Sequence, residues 1–402
     1  MLRTIRTDQL RPGMHVQRLC GSWLDHPFWR TSFVATSDDI ARLQGSGVDE
    51  VVIDLALGLD VEAEIPPVSP DAADTIEVTS ASETDAPTAG MVTSFEAEVR
   101  QARHLLETGR RVVEAMFGEI RLGRAVDTSA AVPLVDAVCD SVLRNPHALV
   151  SVARLKTADD YTYLHSMAVA ALMAGLARQM GLPEDEVHAA AKGGLLHDMG
   201  KAVSPPDVLN KPGSLTDAEY HTMRRHPEDG HRLLVDSGVD DATALDIALH
   251  HHERVDGTGY PHRLSGEGIS RMARMAAVCD VYDAITSDRS YKRGWCPAQS
   301  LRRMASWHGH FDSAIFQAFV KSLGIYPVGT LVRLESQQLA VVIEQSPALL
   351  KPKIRIFHCI RRQSRVLMRD VDLSDAACGD RIVQAESPDD WGLRDLEKLW
   401  LP

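Results

Sequence analysis

The chain has 402 residues, a formal net charge of −13 and a sequence pI near 5.7. That length accommodates two or three domains. The acidic balance excludes wholesale nucleic-acid binding, though it leaves room for a local basic pocket. The six cysteines are scattered with no CxxC pair, which excludes a zinc ribbon, a redox motif and a disulfide framework, and agrees with a reducing, cytoplasmic setting.

Residues 1–58 read as a small α+β module. Arg11-Pro12-Gly13 is turn chemistry, Val16 and the Trp23–Val34 region are strand-like, Ser37-Asp38-Asp39 opens a short helix, and Val51–Leu57 has strand propensity. Trp23, Pro27, Phe28 and Trp29 are assigned to a core or an interface. Residues 59–92 differ in composition: Pro, Ala, Ser, Thr, Asp and Glu dominate, and no Lys or Arg falls between Arg42 and Arg100. Too little apolar area is available to offset the ordering entropy, so this is expected to be an acidic flexible linker.

From residue 93 to 325 the helical period dominates, and an all-α bundle is expected. Helices are predicted over Phe95 to about Phe117, Pro133 to Leu143 and Tyr161 to Met180, with Gly181-Leu182-Pro183 closing the third. Ser166–Leu182, the most apolar stretch, is interrupted by Arg178 and Gln179 and reads as a buried helix, with no membrane span in the chain. Residues 326–402 are expected to form a small antiparallel β extension of three strands, Pro327–Leu334, Leu339–Ile343 and Lys353–Phe357, with a short helix within Ser387–Pro402.

Ten of the histidines lie between His165 and His262. His165 shares a helical face with Ala168, Val169, Leu172 and Leu176 and so points inward. His197 follows a face of small residues. Asp198 lies about 100° further round the helix, so both reach one site only if the helix ends there, as Met199-Gly200 suggests. Thr216-Asp217-Ala218-Glu219 is a capping box whose helix runs towards His226, placed at a helix junction ahead of Pro227. In His250-His251-His252, the last two continue a buried face through Ile247 and Ala248, whereas His250 follows Asp246. Asp280 sits among Met272, Ala273, Ala276 and Ala284, and Asp283 is read as a supporting carboxylate. His221 and His231 are read as surface or packing residues.

Seven donors, His165, His197, Asp198, His226, His251, His252 and Asp280, exceed what core hydrogen bonding requires. Two divalent ions bridged by Asp198 and a water would use them, an arrangement typical of phosphoryl transfer. Lys201, three residues after Asp198, can hold a phosphate oxygen by charge.

His197-Asp198 with Lys201 resembles the HD superfamily of metal-dependent phosphohydrolases. The run His251-His252-Glu253-Arg254-Val255-Asp256-Gly257-Thr258-Gly259-Tyr260-Pro261 resembles the second signature of its HD-GYP family. Lys211-Pro212-Gly213, His226-Pro227 through Gly230, Asp280-Val281-Tyr282-Asp283-Ala284, Arg289 and Lys292 add to the likeness, which spans about Ala158 to Gly324. Residues 1 to about 57 resemble a module of unknown role that often precedes this domain, through which protein partners would act. The resemblance implies a cyclic di-GMP phosphodiesterase yielding 5′-pGpG, and GMP on a second cycle, with a metal-bridging hydroxide as nucleophile. It implies the seven donors as ligands of two ions, iron or manganese, with Asp198 bridging and Lys201 on the scissile phosphate. Gly259, Tyr260, Pro261, Arg289 and Lys292 would line the dinucleotide pocket, with the Tyr260 ring available to a guanine. Tyr161 stands where some members carry a Glu that binds a third ion, so two ions are expected; Ser290 stands where a Pro is common. The alternatives are a cyclic-dinucleotide receptor with little catalysis, or an HD hydrolase acting on another nucleotide.

Overall fold

The computed structural model describes residues 2–19, 33–44, 50–55, 57, 93–155, 161–211, 213–287 and 294–401. The chain divides into two compact units, Met1–Ala89 and Gly90–Pro402. The Trp23–Trp29 aromatics, the 59–92 linker, Pro212, Arg289, Ser290 and Lys292 lie outside the described residues.

In the first unit, β1 (Leu2–Arg6), β2 (His15–Leu19), β3 (Phe33–Val34) and β4 (Glu50–Asp54) form an antiparallel sheet in the order β1-β4-β2-β3, with helix α1 (Ser37–Gln44). Its apolar face is alternate in sequence, as a half-buried sheet requires: Ile5, Val16, Val51 and Ile53 close on Leu10, Met14, Ala35 and Leu43.

The second unit is helical up to residue 323. Its helices are α2 (Phe95–Arg121), α3 (Ala131–Arg144), α4 (Ala148–Ala153), α5 (Tyr161–Gln179), α6 (Glu184–Leu196), α7 (Pro206–Leu209), α8 (Asp217–Met223), α9 (His226–Asp236), α10 (Ala242–His250), α11 (Arg271–Thr286), α12 (Pro297–Ala305) and α13 (Ser313–Leu323). α2 runs one turn past the expected Phe117, because Met116, Phe117 and Ile120 continue its buried stripe. α5 lies at the centre, buried along nearly its whole length from His165 to Ala177. It packs against α6 through small side chains: a Cβ added to Gly194 would lie 3.1 Å from the Ala170 backbone. That approach sets the end of α6 beside the first turns of α5. Among the described residues, no helix is long and apolar enough to cross a membrane.

The C-terminal extension is an antiparallel sheet of five strands, β5 (Leu331–Leu334), β6 (Gln338–Glu344), β7 (Lys353–Cys359), β8 (Ser364–Asp372) and β9 (Ile382–Ala385), in the order β8-β7-β6-β5-β9. Three strands were legible in the sequence. β8 is an exposed edge strand and lacks the apolar alternation that marks a buried face; β9 has only four residues. The expected terminal helix is instead two short 3₁₀ turns, Asp389–Trp391 and Leu396–Leu399, separated by Gly392 in the left-handed region at φ 62°. The sheet is tied to the bundle by Arg154, which donates to the Val328 carbonyl at 3.1 Å and lies 5.9 Å from the Trp400 ring centroid.

Candidate metal centre

The seven donors arise from five places in the helical unit. His165 is on α5, His197 is the residue that ends α6, and Asp198 precedes the 3₁₀ turn Met199–Val203. His226 opens α9, His251 and His252 follow the last turn of α10, and Asp280 lies on α11. The break at Asp198, with φ −103° and ψ 12°, turns adjacent side chains towards one space. Gly200 makes the next approach possible: a Cβ there would stand 1.9 Å from the His226 carbonyl oxygen and 2.5 Å from the Gly230 nitrogen. No side chain larger than hydrogen fits.

All seven converge. Asp198 is fully buried and its two oxygens face different partners. Oδ2 lies 3.4 Å from His165 Nε2 and 3.3 Å from His197 Nε2. Oδ1 lies 3.3 Å from His226 Nε2 and 3.8 Å from His251 Nε2. Asp280 stands 3.1 Å from His165 Nε2 and 3.8 Å from His197 Nε2 through Oδ1, and its Oδ2 is 3.7 Å from His252 Nδ1. Three groups, His165-His197-Asp280, His197-Asp198-His251 and His226-His251-His252, each place their donor atoms within 4.8 Å of one another.

The far side of each ring fixes which nitrogen is bare. His197 Nδ1 donates to the Gly194 carbonyl at 2.7 Å, His226 Nδ1 to Met223 at 2.8 Å and His251 Nδ1 to Ile247 at 2.9 Å. A carbonyl only accepts, so Nδ1 carries the proton and Nε2 turns a lone pair inward. His165 Nδ1 meets the Asp283 carboxylate at 2.6 Å, the supporting position expected for Asp283. Backing imidazoles in this way is how proteins orient metal-binding histidines.

The centre itself lacks donors for these lone pairs. His226 Nε2 and His251 Nε2 are 3.3 Å apart with both Nδ1 protons already committed, so lone pair faces lone pair. His197 Nε2 and Asp198 Oδ1 are buried with no hydrogen-bond partner. Burying such atoms costs several kcal/mol unless a cation joins them, so the donor set fits divalent metal.

The electrostatics agree. Burial pushes His226 down to about 4 and His251 to about 3, leaving neutral imidazoles at neutral pH. Burial also presses His165 down, but hydrogen bonds to Asp198, Asp280 and Asp283 outweigh it and raise this group to about 10. Burial opposes ionisation of Asp198 and Asp280; the facing His197 and Lys201 in one case and His165 and His197 in the other hold both well below the usual carboxylate range. Carboxylates so placed keep positive charge at this spot, a place that a divalent cation could take from the proton. Asp283→Asn, which weakens the grip on His165, is expected to lower metal affinity about 10–100-fold in a chelator competition; unchanged affinity would remove Asp283 from the centre.

The centre opens at one side. His252 and Lys201 each keep 21% side-chain exposure, whereas Asp280 keeps 8% and the other donors 2% or less. Lys201 Nζ meets Asp198 Oδ2 at this opening. Tyr260 stands there too, its ring centroid 4.7 Å from that of His252. The segment carrying Tyr260 is pinned by Glu253, a buried carboxylate that accepts from the His262 and Leu264 amides at 2.7 and 3.1 Å. Gly259 is required in it, since an added Cβ would meet the Arg254 nitrogen at 2.4 Å. The Tyr260-Pro261 peptide is cis. Glu253→Ala would leave two amides unpaired and is expected to destabilise the fold by about 2 kcal/mol, read as a lower Tm; an unchanged Tm would mean the segment is held by other contacts.

His250 stays out of the centre, bonded to Asp246 at 2.7 Å and to His262 at 3.0 Å. His221 is exposed and His231 half-buried, with neither in the donor groups. The Tyr161 side chain, like Arg289 and Lys292, lies outside the described residues. Arg224, which sequence reasoning passed over, lies 4.5 Å from the Tyr260 ring centroid. Its only sequence signal is the i, i+4 spacing from Tyr220, whose ring it also approaches at 5.8 Å.

Comparison with known proteins identifies the family. Residues 142–315 match the family described as HD domain, and residues 2–131 match a domain of unknown function, DUF3391. The chain is 51% identical over 403 residues to the cyclic di-GMP phosphodiesterase PA4108 of Pseudomonas aeruginosa, covering all of this chain and 96% of that one. It is 45% identical over 155 residues to the cyclic di-GMP phosphodiesterase response regulator RpfG of Xanthomonas campestris, covering 37% of this chain and 40% of that protein. It is 34% identical over 164 residues to the 3′3′-cGAMP-specific phosphodiesterase 1 of Vibrio cholerae, covering 40% and 38%. With a relative this similar along its whole length and the His-Asp centre intact, the chain belongs to the HD-GYP family of HD-domain phosphodiesterases.

Proposed function

We propose that this phosphodiesterase hydrolyses cyclic di-GMP to linear 5′-pGpG, with GMP formed when a second phosphodiester is cut. The carrying observation is the division of Asp198, one oxygen towards His165 and His197, the other towards His226 and His251. His165, His197, Asp198 and Asp280 would hold one divalent ion, and Asp198, His226, His251 and His252 a second. Iron or manganese suits this mixture of imidazole and carboxylate. Bound there, such ions supply Lewis acidity towards the phosphate and lower the pKa of water.

The chain's own residues do the rest. Lys201, at the opening, presents its ammonium to the scissile phosphate, where charge grows as the water oxygen bonds to phosphorus and the bond to the ribose 3′ oxygen breaks. Asp283 holds the His165 ring in place, and Glu253 holds the segment that brings Tyr260 to the opening. Gly259, Tyr260, Pro261, Arg289 and Lys292 line the dinucleotide site in this reading. The likeness to a cyclic di-GMP phosphodiesterase along the whole chain supports the substrate.

The test is to incubate iron- or manganese-loaded protein with cyclic di-GMP and separate the products by chromatography. 5′-pGpG accumulating in proportion to enzyme is expected. Intact cyclic di-GMP beside cleaved 3′3′-cGAMP would overturn the substrate, and tight binding with no turnover of either would make the site a receptor. Metal analysis of the loaded protein should give two ions per chain; three would refute the count.

A further inference from the structure

We infer that Arg224 is the guanine-reading residue of the dinucleotide site, an assignment that rests on the substrate proposed above. Three observations carry it. First, the centre is accessible through the side where His252 and Lys201 keep 21% exposure, so substrate enters there. Secondly, three groups lie together at that side: the Tyr260 ring is 4.7 Å from the His252 ring at 32°, and the Arg224 guanidinium is 4.5 Å from the Tyr260 centroid. Thirdly, Arg224 has no carboxylate or hydrogen-bond partner for its side chain among the described residues, so its N–H edge is uncommitted. Its neighbours Arg225 and Arg232 instead meet Asp229.

The chemistry follows from the shape. A guanidinium lying against an aromatic ring is held in plane, and its fork of donors then points in a fixed direction. Guanine offers two acceptors, O6 and N7, matched to that fork; adenine offers N7 but places an amino donor where O6 would be. Tyr260 contributes by orienting Arg224, since its ring is already in contact with His252 and Arg224. A phosphate held at the centre would leave its ribose and base at the opening where Tyr260 and Arg224 lie together. Lysine would keep the charge and lose the fork.

The test compares kcat/KM for cyclic di-GMP and cyclic di-AMP in the wild type, Arg224→Lys and Arg224→Ala, with folding followed by Tm. The expected result is a fall of tenfold or more in the cyclic di-GMP to cyclic di-AMP ratio in both variants, carried by KM for cyclic di-GMP. A phosphate-binding role would lower both substrates together and spare Arg224→Lys, leaving the ratio unchanged, which overturns the inference; a purely structural role would lower Tm without moving the ratio, and overturns it as well. Wild-type protein is also assayed on bis(p-nitrophenyl) phosphate, which has no base. Cleavage of that ester without cleavage of cyclic di-GMP would refute the substrate itself, whereas cleavage of both with an unmoved ratio would refute the role of Arg224 alone.

Discussion

Asp198→Ala is expected to empty the centre and abolish turnover while leaving the fold intact. Each carboxylate oxygen serves a different pair of imidazoles, so one substitution removes an anionic donor from both sides of the site. A catalytic contribution of several kcal/mol from metal corresponds to a loss of about 10³-fold or more in turnover. The fold survives because Asp198 lies at the junction between α6 and the next 3₁₀ turn, and its cationic partner Lys201 can reach solvent. The measurements are metal content by elemental analysis, turnover of cyclic di-GMP and circular dichroism. Wild-type metal content and activity in the variant would sink the bridging role.

Gly200→Ala is expected to have the largest effect on stability of any single methyl addition to the helical unit. The new Cβ would lie 1.9 Å from the His226 carbonyl oxygen and 2.5 Å from the Gly230 nitrogen, so backbone must move on both sides. Overpacking against backbone costs about 3–5 kcal/mol, and the element displaced is the start of α9, which carries His226. Stability and metal affinity should fall together. Gly118→Ala is the matched control: it lies inside α2 with nothing within 4 Å of the added atom, and should stabilise by about 0.5–1 kcal/mol. Urea midpoints of the two variants decide the matter; a Gly200→Ala midpoint equal to wild type would mean that α9 accommodates the methyl at no cost.

Much of the site was legible because polar donors on apolar helical faces are costly and therefore conspicuous. His251 and His252 separate from His250 on the identity of the residue four before each, Ile247 and Ala248 against Asp246, and His250 does bond to Asp246 at 2.7 Å. The supporting shell was less legible. Asp283 could be named because its side chain carries the chemistry, but the carbonyls of Gly194, Met223 and Ile247 carry it in the backbone, which every residue shares. Arg224 was missed because its place depends on how α8 meets the segment after α10, a tertiary fact with no local pattern. In the C-terminal sheet, β5, β6 and β7 carry buried apolar runs that read as strands, whereas β8 is exposed along most of its length.

The donors are supplied from positions 165 to 280, from α5, the end of α6, the start of α9, the end of α10 and α11. An ion bound among them would therefore act as a removable crosslink as well as a reagent. Occupancy at a hundred times the dissociation constant would add about 2.7 kcal/mol to the folded state, comparable with a disulfide closing a loop of about ten residues. On that reading the stability of the folded chain would follow the supply of metal: withdrawing the ion would stop hydrolysis and would also make the protein easier to unfold.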